Sequence, residues 1–153
     1  MRDDANIFLR LGDAARAAAG FPLRGSAEAL PPGDIRLVQL KHVSLEEGVR
    51  WDEVPLVELP VTRRISWLSD QDVLFASRGT RTLAYPLVHT PLRAVCAPQF
   101  FVISVNDTNQ LLPEFLAWQM NQRPAQDFFQ ANATGSFIQN IRREVVEGLP
   151  ITV

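Results

Sequence analysis

The stretch LLPEFLAWQMNQRPAQDFFQANATGSFIQNI, residues 111–141, decides how this chain is read. Pro113 suits the first turn of a helix, where its missing N–H costs nothing. Phe115, Leu116, Trp118 and Met120 follow at three- and four-residue spacing, which predicts a buried helical face. Arg123-Pro124 ends that helix, and Pro124 opens a second one in which Ala125, Phe128, Phe129 and Ala133 repeat the spacing. Thr134-Gly135-Ser136 is a polar turn ahead of Phe137-Ile138-Gln139-Asn140-Ile141. Residues 142–147 read as a short helix, and the apolar run Leu149 to Val153 as a closing segment. Two packed helices, a glycine turn and a short apolar segment make a compact support for a recognition surface.

Working back toward the N-terminus, strand patterns dominate. Ile7 to Leu11 is a short apolar strand, and Asp13 is placed to cap the alanine-rich turn after it. Gly20, Pro22 and Gly25 break regular structure, and residues 26–33 form a loop. Asp34 to Leu40 alternates and is predicted as a strand. Residues 44–52 form a polar loop. Pro55 and Pro60 confine any strand over Val54 to Val61 to a short or edge position. Residues 69–72 form a turn, Val73 to Arg78 a strand and Gly79-Thr80-Arg81 a loop. Arg93 to Val105 is a strand interrupted near Pro98. Strands first and helices last predict an α+β domain, with mixed strands flanked by C-terminal helices, rather than alternating βαβ units. At 153 residues one domain spanning 1–153 is expected.

Composition narrows the function classes. The one cysteine, Cys96, allows neither a disulfide framework nor a cysteine-based zinc site, and it sits in an apolar strand as a core residue would. No run approaches the roughly 18 apolar residues of a membrane span. The N-terminus carries acids and lacks a signal-peptide core, so the cytoplasm is the expected compartment. Net charge is −2, which argues against a strongly basic nucleic-acid module. Its distribution is uneven, however. Residues 61–93 hold five arginines against two aspartates, whereas residues 25–60 are predominantly acidic. Lys41 is the only lysine, and arginine offers a planar fork for phosphate or guanine.

Catalytic signatures are missing. His42 and His89 lie far apart in sequence and read as structural or surface residues. HExxH, GxSxG, Walker and GxGxxG patterns do not occur, and Asn121-Gln122-Arg123-Pro124 is not the motif of amino-methyltransferases. Asp34 with Gln39-Leu40-Lys41 has the residue types of a metal-dependent nuclease. Along an extended strand, however, Asp34 and Gln39 stand ~16 Å apart, too far to share a metal without a sharp bend. No catalytic residue, metal ligand or cofactor is therefore expected.

Binding features are better represented. Ser77-Arg78-Gly79-Thr80-Arg81 puts two arginines, two hydroxyls and a glycine at a strand end, a composition suited to phosphate or base-edge contacts. A solvated hairpin end is its plainer reading. Thr134-Gly135-Ser136 with Gln139, Asn140, Arg142 and Arg143 is a second polar cluster, whose plainer reading is a helix C-cap and turn. The spacing of Phe100, Phe101, Phe115, Trp118, Phe128 and Phe129 places them in the core rather than on a base-stacking platform.

The order of these parts resembles the target-recognition domain of type I restriction–modification DNA specificity subunits. Leu11-Gly12-Asp13 followed by Gly20-Phe21-Pro22-Leu23-Arg24-Gly25 is similar to that family's opening. Gly33 to Lys41 (GDIRLVQLK), Leu68 to Gly79 (LSDQDVLFASRG, with Gln71 where glycine is usual), Val95 to Val105 and Leu112 to Val153 follow in the family's order. The resemblance implies a non-catalytic domain that binds double-stranded DNA sequence-specifically. Its implied partners are methyltransferase and restriction subunits, or another specificity-type chain. Only one recognition domain is expected here, ending where the family's long spacer helix begins. The expected DNA contacts are Arg63, Arg64, Arg78, Thr80, Arg81, Gln139, Arg142 and Arg143. Two alternatives remain open: a protein-interaction module of this fold that has lost DNA binding, and the nuclease reading on Asp34 and Lys41.

Overall fold

The computed structural model describes residues 8–60, 65–135 and 138–153. In chain order the elements are β1 (Phe8–Arg10), α1 (Leu11–Ala14), β2 (Ala15–Ala19), β3 (Pro32–Val38), β4 (Val43–Ser44), β5 (Gly48–Val49), β6 (Leu56–Val57), β7 (Asp72–Ala76), β8 (Arg78–Gly79), β9 (Ala84–Pro86), β10 (Ala94–Cys96), β11 (Phe100–Val105), α2 (Pro113–Asn121), α3 (Arg123–Asn132), β12 (Gln139–Asn140), α4 (Arg143–Glu147) and β13 (Pro150–Thr152). Strands lead and helices close the chain, so the fold is α+β as its pattern predicts.

An antiparallel sheet, β2-β11-β7-β9, forms the middle layer. Its central strand β7 is buried along its whole length, which is why Val73-Leu74-Phe75-Ala76 reads as a continuous apolar run. Alternate residues serve opposite faces. Val73 and Phe75 point into a core shared with Leu116, Met120, Phe129, Ile141 and Val146 from the C-terminal third. Leu74 and Ala76 point into a second core with Val38, Cys96, Phe100 and Val102. Beyond it lies a three-stranded sheet, β10-β3-β6, whose β10–β3 pair is parallel and whose β3–β6 pair is antiparallel. Ile35, Leu37, Val95 and Val57 form a third apolar cluster on this sheet. Strand β6, flanked by Pro55 and Pro60, is its edge strand, as those prolines require.

Three expectations need correction. Residues 15–19 are not an alanine-rich turn but strand β2, paired with β11 from Ala15↔Val105 to Ala19↔Phe101. Alanine is a poor strand former, and tertiary context overrides that preference. The small side chains of Ala15 and Ala17 are buried in the first core, and α1 and α4 pack against this strand. Asp13 therefore caps no turn there. Its carboxylate reaches back to accept from the Arg10 backbone N–H at 3.1 Å. The third correction concerns aromatics. Phe100 and Phe129 are fully buried, but Phe115 and Trp118 are 39% and 58% exposed. The inward stripe of α2 is Pro113, Leu116, Ala117 and Met120.

Helix α3 follows the expected pattern. Ala125 and Phe129 are buried, and the Phe129 ring meets Phe75 with centroids 4.8 Å apart. Phe128 and Ala133 pack partly buried against the same core. The chain closes on β13, which pairs antiparallel with β1 from Phe8↔Thr152 to Arg10↔Pro150.

Candidate nucleic-acid interface

Ser77, the residue after β7, turns into the interior, where its hydroxyl donates to the Gln99 carbonyl at 3.2 Å. The chain then turns outward. Arg78 and Gly79 form β8, which pairs antiparallel with β12 in the register Gln139↔Gly79 and Asn140↔Arg78. The Ile141 N–H extends the ladder to the Ser77 carbonyl at 2.8 Å, and buried Ile141 anchors the far strand. Arg78-Gly79 and Gln139-Asn140, from two polar clusters read separately in the sequence, thus form one ribbon, while Ser136 lies outside the described residues. Arg78, Thr80 and Arg81 are exposed on it, and Gln139 and Asn140 are half-buried.

Glycine is required at the turn. Gly79 has φ +143°, a backbone that L side chains rarely adopt. The Leu40 methyl lies 3.8 Å from where a Gly79 Cβ would stand, so the apex after β3 borders the ribbon.

A second set of contacts holds the segment downstream of Arg81, and it was not apparent from sequence. The Asn121 side-chain amide mimics a neighbouring strand. Its Oδ1 accepts from the Ala84 N–H at 2.7 Å, and its Nδ2 donates to the Ala84 carbonyl at 2.8 Å. Gln126 Nε2 donates to the carbonyls of Thr82 at 2.8 Å and Met120 at 2.7 Å. The α2–α3 junction therefore clamps residues 82–84, while β12 holds residues 77–79. Thr80 and Arg81 are presented between two fixed points. No local pattern singles out Asn121 and Gln126, two among several polar residues of α2 and α3, beside Gln119, Asp127 and Gln130.

The expected contact residues are not all equivalent. Among the described residues neither Arg78 nor Arg81 has a carboxylate within salt-bridge distance. Arg142 is engaged by Glu144 at 3.5 Å, and Arg143 is exposed at the start of α4. Arg63 and Arg64 lie outside the described residues. Arg93, which contributed to the basic segment, precedes β10, whereas the ribbon takes its bonds from Gln99 beyond that strand's other end. It is occupied there, pairing with Asp34 at 3.2 Å and lying 5.0 Å over the Trp67 ring.

Lys41, Asp34, His42 and Cys96 are engaged elsewhere. Lys41 Nζ pairs with Glu28 at 2.8 Å, and that bond, with one from Ser26, lowers the exposed Glu28 carboxyl to about 2. Asp34 and Lys41 thus go to separate partners. Among the described residues no three His, Cys, Asp or Glu side chains converge as a metal site would require. His42 is buried, its Nδ1 accepts from the Gln39 N–H at 2.9 Å, and burial lowers its pKa, which favours the neutral ring. Burial pushes the Cys96 thiol up to about 12, consistent with an inert core residue.

The fold has a counterpart among solved structures. This chain is similar to the type I restriction-modification system S subunit from M. genitalium. The two superpose with a TM-score of 0.59 at 13% sequence identity, over 99% of this chain and 36% of that one. The chain thus spans about a third of the length of that S subunit. At this identity the likeness establishes a shared fold. No family model and no curated protein matches the sequence.

Proposed function

We propose that this chain is a recognition domain of the type I specificity-subunit kind. It binds double-stranded DNA sequence-specifically without catalysing a reaction, acts in the cytoplasm, and directs partner methyltransferase and restriction subunits or joins another specificity-type chain. The observation that carries this reading is the β8–β12 ribbon. It presents Arg78, Thr80 and Arg81 beside Gln139 and Asn140 on a doubly clamped, glycine-bearing turn. Arginine and carboxamide side chains are the groups that read guanine and adenine edges, and a rigid turn lowers the entropic cost of aiming them. The fold shared with an S subunit supports it. Among the described residues no helix is long and apolar enough to cross a membrane.

Selection of bound sequences from random duplex DNA tests the reading, followed by titration of variants at two salt concentrations. Arg81→Ala is expected to cost ~1–3 kcal/mol on the selected duplex and to relax the choice at one base pair. Arg78→Ala is expected to weaken all duplexes alike and to reduce the salt slope by about one. If both variants keep the parent's affinity and slope, the Arg78–Arg81 turn is not the interface, and Gln139, Arg142 and Arg143 become the next residues to change. If selection enriches nothing, the chain does not read DNA. The exposed Phe115–Trp118 pair favours a second reading, a protein-interaction module of this fold.

A further inference from the structure

The β8–β12 ribbon has two faces, and they carry different chemistry. Directly opposed residues of an antiparallel pair share a face, and neighbours along a strand alternate. The register Asn140↔Arg78 therefore puts those two side chains on one face, and Gln139↔Gly79 puts Gln139 on the other, opposite a residue with no side chain. The place a Gly79 side chain would fill is bordered by Leu40, whose Cδ1 lies 3.8 Å from it. Leu40 is 36% exposed, an apolar group beside a carboxamide. Opposed Cβ positions stand ~4.5–5.5 Å apart, so the leucine methyl and the base of the Gln139 side chain fall within ~10 Å of each other.

Both groups are held in place. Leu40 rides on the turn after β3, which is pinned from two sides. His42 Nδ1 accepts from the Gln39 N–H at 2.9 Å, and the His42 N–H donates to the Gln39 carbonyl at 2.9 Å. The Arg50 guanidinium donates to the Lys41 carbonyl, and the Arg50 N–H donates to the His42 carbonyl at 2.8 Å. Gln139 is fixed by its ladder and by buried Ile141 two residues on. Among the described residues no hydrogen bond engages its carboxamide. The face thus offers an amide donor and acceptor beside an apolar knob. In the major groove adenine presents the N7 acceptor and the N6 donor, and its thymine partner adds a C5-methyl. No other base pair offers that set.

We propose that Gln139 and Leu40 together read one A·T base pair. The Gln139 carboxamide bonds adenine N6 and N7, and the Leu40 side chain packs on the thymine C5-methyl. Their separation fits within the ~12 Å width of the major groove. Gly79 keeps the space between them open to the base edges, which a side chain at that position would fill. Arg78, on the other face, is left to the phosphates. This inference rests on the proposed binding of double-stranded DNA and adds to it a base pair and a reader, Leu40, that lies outside the arginine turn.

The test titrates the full chain with the duplex selected from random DNA, changed one base at a time. Replacing thymine by uracil removes only the methyl. At one A·T pair this should weaken binding about fourfold, the worth of one buried methyl group. Replacing the adenine of that same pair by 7-deazaadenine, which lacks the N7 acceptor, should weaken it about fivefold. Leu40→Ala should erase the uracil effect and keep the deazaadenine effect, and Gln139→Ala should do the reverse. Uracil tolerated at every pair by the parent chain overturns the proposal before any variant is made. So does a uracil effect that persists in Leu40→Ala, or two effects that fall on different pairs. A selection that enriches no sequence overturns the DNA reading and this inference with it, whereas a selected duplex indifferent to uracil overturns this inference alone.

Discussion

Helices α2 and α3 begin alike and end differently. Each opens with a proline in its first turn, and each carries two aromatic residues at close spacing. In α3, Phe129 is fully buried against Phe75, and Phe128 packs beside it edge to face with centroids 6.1 Å apart. In α2 both aromatics face outward, and the smaller residues Pro113, Leu116, Ala117 and Met120 fill the interior. Helical periodicity establishes which residues share a face. It does not say which face turns inward when a helix has two apolar stripes. The sheet decides: α2 lies against β7 and β9, where Leu116, Ala117 and Met120 fit, and the bulk of Trp118 is left outside.

The largest expected effect follows from this contrast. Phe129→Ala empties a fully buried site touching the central strand and should cost ~3–5 kcal/mol, read by urea unfolding. Domains of this size are stable by only ~5–15 kcal/mol, so the variant should be marginal at elevated temperature. If it melts with the parent, α3 is not the inward helix.

A smaller loss is expected where the helices meet. Asn121→Leu leaves the buried Ala84 N–H and carbonyl without their side-chain partner and should cost ~2–4 kcal/mol. Hydrogen exchange of the Ala84 amide should accelerate more than that of β7 amides. Equal acceleration throughout would mean that the amide supports the whole fold rather than the segment after Arg81.

The smallest effect completes the comparison. Trp118→Ala should change monomer stability by less than ~0.5 kcal/mol, although tryptophan is the largest side chain on either helix. A loss near that of Phe129→Ala would show that the outer face of α2 is covered within the monomer.

Much of the architecture was readable because burial leaves a pattern. Strand β7 shows as Val73-Leu74-Phe75-Ala76, and β10 and β11 show as one apolar stretch broken at Pro98. The edge position of β6 shows in its flanking prolines. The closing strand β13 shows in Leu149 to Val153. Strand β2 was not readable, since five residues of which four are alanine carry no alternation, and only their pairing with β11 makes them a strand. The candidate site was half readable. Arg78, Thr80, Arg81 and Gln139 stood out by residue type. Their union did not, because β8 and β12 are two-residue strands of polar character sixty positions apart, and no local pattern records such a pairing. The clamps from Asn121 and Gln126 belong to the same long-range class.

One last consequence follows from β1 and β13. Because Phe8 lies opposite Thr152, the polypeptide enters and leaves this body at a single place, with strands only ~5 Å apart. Mechanically, the body hangs from one point like a bead on a doubled thread. Tension along a longer polypeptide would unzip the β1–β13 pair from this end before it reached β7. Genetically, the same geometry makes the body an exchangeable cassette. It can be excised or spliced at one locus of a host chain while its three cores remain whole.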